Sequence, residues 1–160
     1  MADEEFTAHG AEVSLDQIAK RAGVGIGTLY RHFPTRQDLL VATLADSMLA
    51  LAKKAKELGA ARSAGQALAE WIAAYVKHSS TYQGLSICLN TLPDGSDACS
   101  AVVEAGSTLL ARAQAEGCVR LDVDFEDISA MATAVAFAAE DVGKTRRKRM
   151  LEVFIDGLKR

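Results

Sequence analysis

Little in this chain breaks a helix, and nothing in it is built to cross a bilayer. Its 160 residues contain two prolines, so few positions lose the backbone N–H that a helix interior needs. No apolar run reaches the roughly 20 residues of a membrane span, and no signal peptide precedes the first helix, so no membrane partner is expected. The three cysteines (Cys88, Cys99 and Cys118) form no C-x-x-C spacing, which suits a reducing cytoplasm. Together with His9, His32 and His78 they show no metal-ligand spacing. A nucleophile-elbow pattern is also absent. Neither a metal, a cofactor nor a catalytic site is therefore expected. No segment alternates long enough to make a strand, and nothing repeats. An excess of positive charge is missing too: the net charge is −3, so any affinity for nucleic acid has to be local.

What is present is helix-forming material with enough apolar residues for a core. Apolar residues make up 49% of the chain and charged ones 24%. This is the composition of a soluble helical protein rather than a disordered one. The length fits one medium domain, or a small head fused to a larger body.

The organising stretch is Ser14 to Phe33, SLDQIAKRAGVGIGTLYRHF. Ser14 is placed to cap a helix whose stripe is Leu15, Ile18, Ala19 and Ala22. Gly23 then supplies the positive φ of a tight turn. Val24 is expected to plug that turn into the core. Gly25 opens a second helix, held by Leu29 and Phe33. Two short helices joined this way leave the second one projecting from the body.

The projecting surface has a single sign. From Gln17 to Gln37 there are four cations (Lys20, Arg21, Arg31 and Arg36) and no acid. Thr28, Tyr30, Arg31 and His32 can hydrogen-bond phosphates or base edges from one arc. Gly25 and Gly27 remove side chains from the leading end, so the backbone can approach an anion closely. The candidate DNA-binding residues are Ser14, Gly25, Ile26, Gly27, Thr28, Tyr30, Arg31, His32 and Arg36. Ser14 to Leu40 closely resembles the DNA-binding domain of the TetR (tetracycline-repressor) family of bacterial regulators. The run TLYRHF, followed by Pro34 and Arg36, carries most of that likeness.

The resemblance implies an all-α chain in two parts. Residues 1–34 would form a three-helix head with the helix-turn-helix, and residues 35–160 a helical bundle for effector binding and dimerisation. The head's first helix, Met1 to Gly10, is short for the family and carries Asp3, Glu4 and Glu5 where basic residues are usual. Either residues upstream complete it, or this head is less stable than its relatives. Thr35 and Asp38 should start a long helix running to Leu58, with Gly59 as its stop. Further helices are expected over Ser63–Tyr82, Leu85–Leu92, from Ser96 or Asp97 to Glu116, from Asp124 onward, and over Arg146–Leu158. Their inward residues would include Val102, Val103, Ile128, Met131 and Met150.

The body's roles follow from the resemblance more than from the residues. An unknown small-molecule effector would sit among Met48, Trp71, Tyr75, Tyr82, Cys88, Met131 and Phe137, although as bare residues these are as readily core. Ala132, Val135, Ala139, Leu151, Phe154 and Ile155, on the last two helices, are the candidate dimer interface. Cys88 and Cys99 read as inert buried thiols rather than a redox switch. The basic run Lys144, Arg146, Arg147, Lys148 and Arg149 lies at the positive end of the last helix and has no account at this level. The reading is a cytoplasmic, ligand-responsive repressor that binds a palindromic double-stranded DNA operator as a homodimer, without enzymatic activity. The alternatives are a small-molecule carrier or enzyme with an incidental helix-turn-helix, and a helical module that docks protein.

Overall fold

The computed structural model describes residues 14–81, 97–138 and 143–160. The expected first helix, the Leu85–Leu92 helix, and Tyr82, Cys88 and Ala139 lie outside them. Seven helices are described: α1 Leu15–Ala22, α2 Ile26–His32, α3 Arg36–Ala61, α4 Ala64–Thr81, α5 Asp97–Ala115, α6 Phe125–Ala138 and α7 Gly143–Leu158. An isolated antiparallel bridge pairs Val119 with Lys159.

Helix α3 is the spine. Its 26 residues span about 39 Å at the usual rise. The capping box expected at its start is present: Asp38 N–H donates to Thr35 Oγ1 at 3.1 Å, and Thr35 N–H donates to Asp38 Oδ2 at 2.9 Å. Gly59 does not stop the helix, which continues to Ala61. Its Cα instead faces α5, where an added Cβ would sit 3.3 Å from Leu109. The terminal carbonyls are met by Arg112 of α5, which donates to Gly59 O and, at 3.3 Å, to Arg62 O. A cation there also complements the negative end of the helix dipole.

Two apolar clusters lie along this spine. The first holds Ile18, Ala19 and Leu29 of the hairpin against Leu39, Leu40 and Leu44. The second runs from Leu51 through Trp71, Ile72, Val102, Leu109 and Ile128 to Phe154 and Leu158. Met48 packs against both. Trp71 is wholly buried and donates from Nε1 to Leu51 O at 3.1 Å, while its ring packs against Tyr75 and Phe125. This cluster leaves no room for a side chain at Gly106: a Cβ there would lie 2.5 Å from Trp71 Cη2 and 2.2 Å from Phe125 Cε2.

Helix ends and faces depart from the sequence expectation in places. Val103 and Met131 are exposed, because the adjacent Val102 and Ala132 occupy the inward positions and neighbours on a helix point about 100° apart. Helix α7 begins at Gly143 (φ +71°) rather than Arg146. The basic run therefore extends into the second turn, beyond most of the dipole's reach. Asp124 and Asp127 form a reciprocal cap at α6, with 2.9 and 3.1 Å bonds. Gln114 Nε2 ties down the preceding loop by donating to Arg120 O and Val123 O.

Candidate nucleic-acid interface

The hairpin is closed by backbone hydrogen bonds. Gly23 takes φ +69°, its N–H donates to Lys20 O at 3.1 Å, and Val24 N–H donates to Ala19 O at 3.0 Å. This is the paired 5→2 and 6→1 closure of a Schellman end. Val24 contributes its N–H rather than a core plug, since its side chain is exposed. Ser14 occupies the N-cap of α1 with extended backbone, but its hydroxyl makes no capping hydrogen bond. Its carbonyl accepts from Ile18 N–H at 3.1 Å. Ser14 is therefore an exposed hydroxyl at the mouth of the hairpin.

Helix α2 is anchored by one residue. Leu29 is buried in the head cluster, Phe33 packs beside it, and Phe33 N–H closes the helix on Leu29 O at 2.8 Å. The rest of the helix faces outward. Gly25, Ile26, Gly27, Tyr30, Arg31 and His32 are exposed, and Thr28 is half-buried. Among the described residues a Cβ on Gly25 or Gly27 would meet nothing within 4 Å, so none of their packing requires glycine at either position.

Four of the sequence-predicted residues meet in one place. Ser14, Ile26, Tyr30 and Arg36 line a surface groove of about 560 Å³, together with Leu15 and Asp16. Leu15 and Asp16 were not among the sequence candidates. Asp16 also pairs with Lys20 at 2.8 Å on the exposed face of α1, and this hydrogen bond raises the lysine's pKa. The i, i+4 spacing carries that pair. It compensates one of the four cations of the hairpin within the protomer.

The body candidates scatter. Trp71 is core, with its one polar atom satisfied. Tyr75 is partly buried and bonds through its side chain to Thr133, and burial raises its phenol pKa. Met48 meets Cys99, whose Sγ lies 3.9 Å from Met48 Sδ. Met131 and Phe137 are 47% and 46% exposed, so neither faces an interior cavity in this protomer. Met131 instead lines a groove of about 770 Å³ on the outer surface of α6 and α7, with Met150 and Val153. Of the dimer candidates, Ala132, Val135 and Phe154 are buried in the protomer's own core, and Leu151 and Ile155 are partly buried against it. Among the described residues no cluster of His, Cys, Asp and Glu is placed to hold a metal, and no helix is long and apolar enough to cross a membrane.

Comparison with known proteins agrees at both ends of the chain. Residues 1–43 match the model of bacterial regulatory proteins of the tetR family, and residues 63–160 that of the SbtR-like transcriptional regulator C-terminal domain. The crystal structure of the TetR transcriptional regulator SCO0520 from Streptomyces coelicolor is similar with a TM-score of 0.83 at 28% identity, over 99% of this chain and 94% of that one. The TetR transcription regulatory protein from Mycobacterium vanbaalenii is 36% identical, with a TM-score of 0.73 over 99% and 90% of the two chains. An HTH-type transcriptional regulator of Staphylococcus aureus (strain USA300) is 48% identical over 40 residues, 24% of this chain and 22% of that regulator's length. With a head and a body that each match and a fold shared along nearly its whole length, the chain belongs to the TetR family of bacterial transcriptional regulators.

Proposed function

We propose that this protein is a cytoplasmic repressor that binds a palindromic duplex operator as a homodimer and leaves it when a small molecule occupies the body. The observation that carries the DNA reading is the shared groove of Ser14, Ile26, Tyr30 and Arg36 beside half-buried Thr28 and exposed Arg31 and His32. In this reading Thr28, Tyr30, His32 and Arg36 hold phosphates, while Ile26, Gly27 and Arg31 lie nearest the base edges. Bare glycine backbone at positions 25 and 27 lets the helix seat deeply in the major groove.

Effector coupling is assigned to α3. It leaves the hairpin after Pro34-Thr35, supplies both apolar clusters, and passes Met48 between them. The described residues that suit an effector-facing corner are Met48, Tyr75, Cys99 and Thr133, which meet where α3, α4, α5 and α6 converge. A ligand that re-tilts α3 changes the spacing of the two recognition helices, and a coupling of about 1–3 kcal/mol lowers operator affinity roughly 5- to 150-fold. Fluorescence anisotropy with the DNA flanking the protein's own gene tests the reading. Saturable binding to one palindromic segment, far tighter than to scrambled duplex, is expected. Equal binding to both sequences refutes it.

A further inference from the structure

Two segments carry a positive excess in a chain whose net charge is −3. Residues 17–37 hold four cations and no acid. Residues 140–149 hold five cations (Lys144, Arg146, Arg147, Lys148 and Arg149) against two acids, Glu140 and Asp141, which lie outside the described residues. Arg146, Lys148 and Arg149 are exposed. Lys148 has only a 3.7 Å surface pair with Glu152, of a kind that contributes little. Arg146 and Arg149 make no ion pair among the described residues.

The fold brings both segments to one end of the molecule. The last residues of α7 are fixed at the other end, where Arg120 N–H donates to Leu158 O at 3.0 Å and Val119 pairs with Lys159. That loop follows α5, whose Arg112 reaches Gly59 O and Arg62 O at the end of the spine remote from the hairpin. The first turns of α7 lie beside Val135 of α6, since Val135, Arg146 and Arg149 line one groove. Phe125, at the start of α6, packs on Trp71, whose Nε1 reaches Leu51 O. Further along α6, Thr133 meets Tyr75, which neighbours Cys99 beside Met48, so α6 rises toward the hairpin. Val135 stands about 15 Å along α6 from Phe125, and Arg36 about 22 Å along α3 from Leu51. Taken along the axes the two heights differ by about 7 Å, less than the ~8 Å screening length of physiological salt.

We propose that the basic run at the start of α7 is a second DNA-facing surface, which attracts the phosphates of the duplex between the two half-sites and reads no bases. The proposal rests on the operator and dimer readings given above and adds a region of DNA to them. Two heads on successive major-groove faces leave the intervening duplex under the hairpin end of the body, and a homodimer doubles the cations there. Duplex DNA, with one negative charge per about 1.7 Å of axis, supplies the acid that the run lacks within the protomer.

Salt titrations test it on the operator duplex and on a copy with neutral methylphosphonate linkages between the half-sites. For wild type, the neutral centre should weaken binding about tenfold and lower the slope of log affinity against log salt by about one unit or more. The double variant Arg146→Gln, Arg149→Gln should show both losses on the ordinary duplex, keep its preference among operator sequences, and lose little more on the neutral centre. The double variant Arg146→Lys, Arg149→Lys keeps the charges and should behave like wild type. A wild-type chain that binds the neutral centre as tightly as the ordinary duplex overturns the proposal without any variant. A glutamine variant with the full slope, or a lysine variant that loses as much as the glutamine one, also overturns it while the DNA reading stands. So does a glutamine variant that is monomeric in sedimentation, which assigns the run to assembly. A wild-type chain that binds no duplex in a salt-dependent way overturns both.

Discussion

Replacing Gly27 with alanine should move stability and DNA affinity in opposite directions. Gly27 is the second residue of the seven-residue α2, and a Cβ there meets nothing within 4 Å among the described residues. No packing penalty offsets the gain in helix propensity, which is about 1 kcal/mol in a helix interior and somewhat less near an end. The expected stabilisation of about 0.5–1 kcal/mol raises the melting temperature by roughly 1–4 °C for a chain of this size. In the proposed complex with DNA the same methyl would stand between the α2 backbone and the base edges, so the expected loss is a lifted recognition helix rather than one contact. Losing one or two well-placed base or phosphate contacts at about 1–3 kcal/mol each weakens binding about tenfold or more. Thermal unfolding followed by circular dichroism, together with anisotropy on the operator, measures both effects on one sample. An alanine variant that is stabilised and binds wild-type operator unchanged refutes the close-approach argument. One that is destabilised shows that the glycine answers to the protomer's own packing.

Gly106→Ala drives a methyl into Trp71 and Phe125, and overpacking of this kind outweighs the helix-propensity gain by about 1–2 kcal/mol. A lower melting temperature is expected, with altered Trp71 fluorescence. Asp122 is held by two 2.6 Å hydrogen bonds from Arg120, which pull its pKa from 3.8 down to about 2. Because the folded value lies below the unfolded one, the pair's contribution is present above pH 3.8 and disappears as pH falls through about 2. A carboxyl-detected NMR titration should find that midpoint near 2, returning toward 3.8 in Arg120→Ala. Phe154→Asp buries a charge in the protomer core, where Phe154 is 7% exposed, and should unfold the chain. Val153→Asp, at an outward position, should instead give folded monomers by sedimentation.

The hairpin's frame was legible where a local signal has one geometric meaning, whereas the Ser14 cap and the Val24 plug were not, since an extended N-cap backbone does not by itself engage the hydroxyl and the turn uses Val24 through its N–H. Gly23 can close that turn where a β-carbon would be strained, Leu29 is the one large apolar residue of α2 on the inward side, and Thr35 with Asp38 permits a single reciprocal cap. The body was less legible because helical periodicity marks a stripe without saying which of two neighbours faces in. Val102 and Val103 are equivalent to such a reading, as are Met131 and Ala132. The interior takes the smaller residue at 132, where Ala132 is wholly buried and Met131 is not, and only tertiary packing decides that. Phe154, a candidate for the dimer, packs in the protomer's own core, and periodicity alone does not separate those two surfaces. Gly59 misled as a helix stop because its role is spatial: it admits Leu109, and the true end at Ala61 is closed by Arg112 from 50 residues further along the chain. Nothing local to residues 59–62 announces that partner.

The salt dependence of operator binding, measured for wild type and Arg36→Ala, tests the DNA-binding claim most directly. Arg36 lines the hairpin groove with Tyr30 and Ser14, and each phosphate it neutralises contributes about 0.9 to the slope of log affinity against log salt. With one Arg36 in each half of the dimer, the variant should bind every sequence more weakly and lose about two units of slope, with its operator preference unchanged. A wild-type chain whose affinity is insensitive to salt, or an Arg36→Ala variant that keeps the full slope and prefers a different operator, would contradict the account.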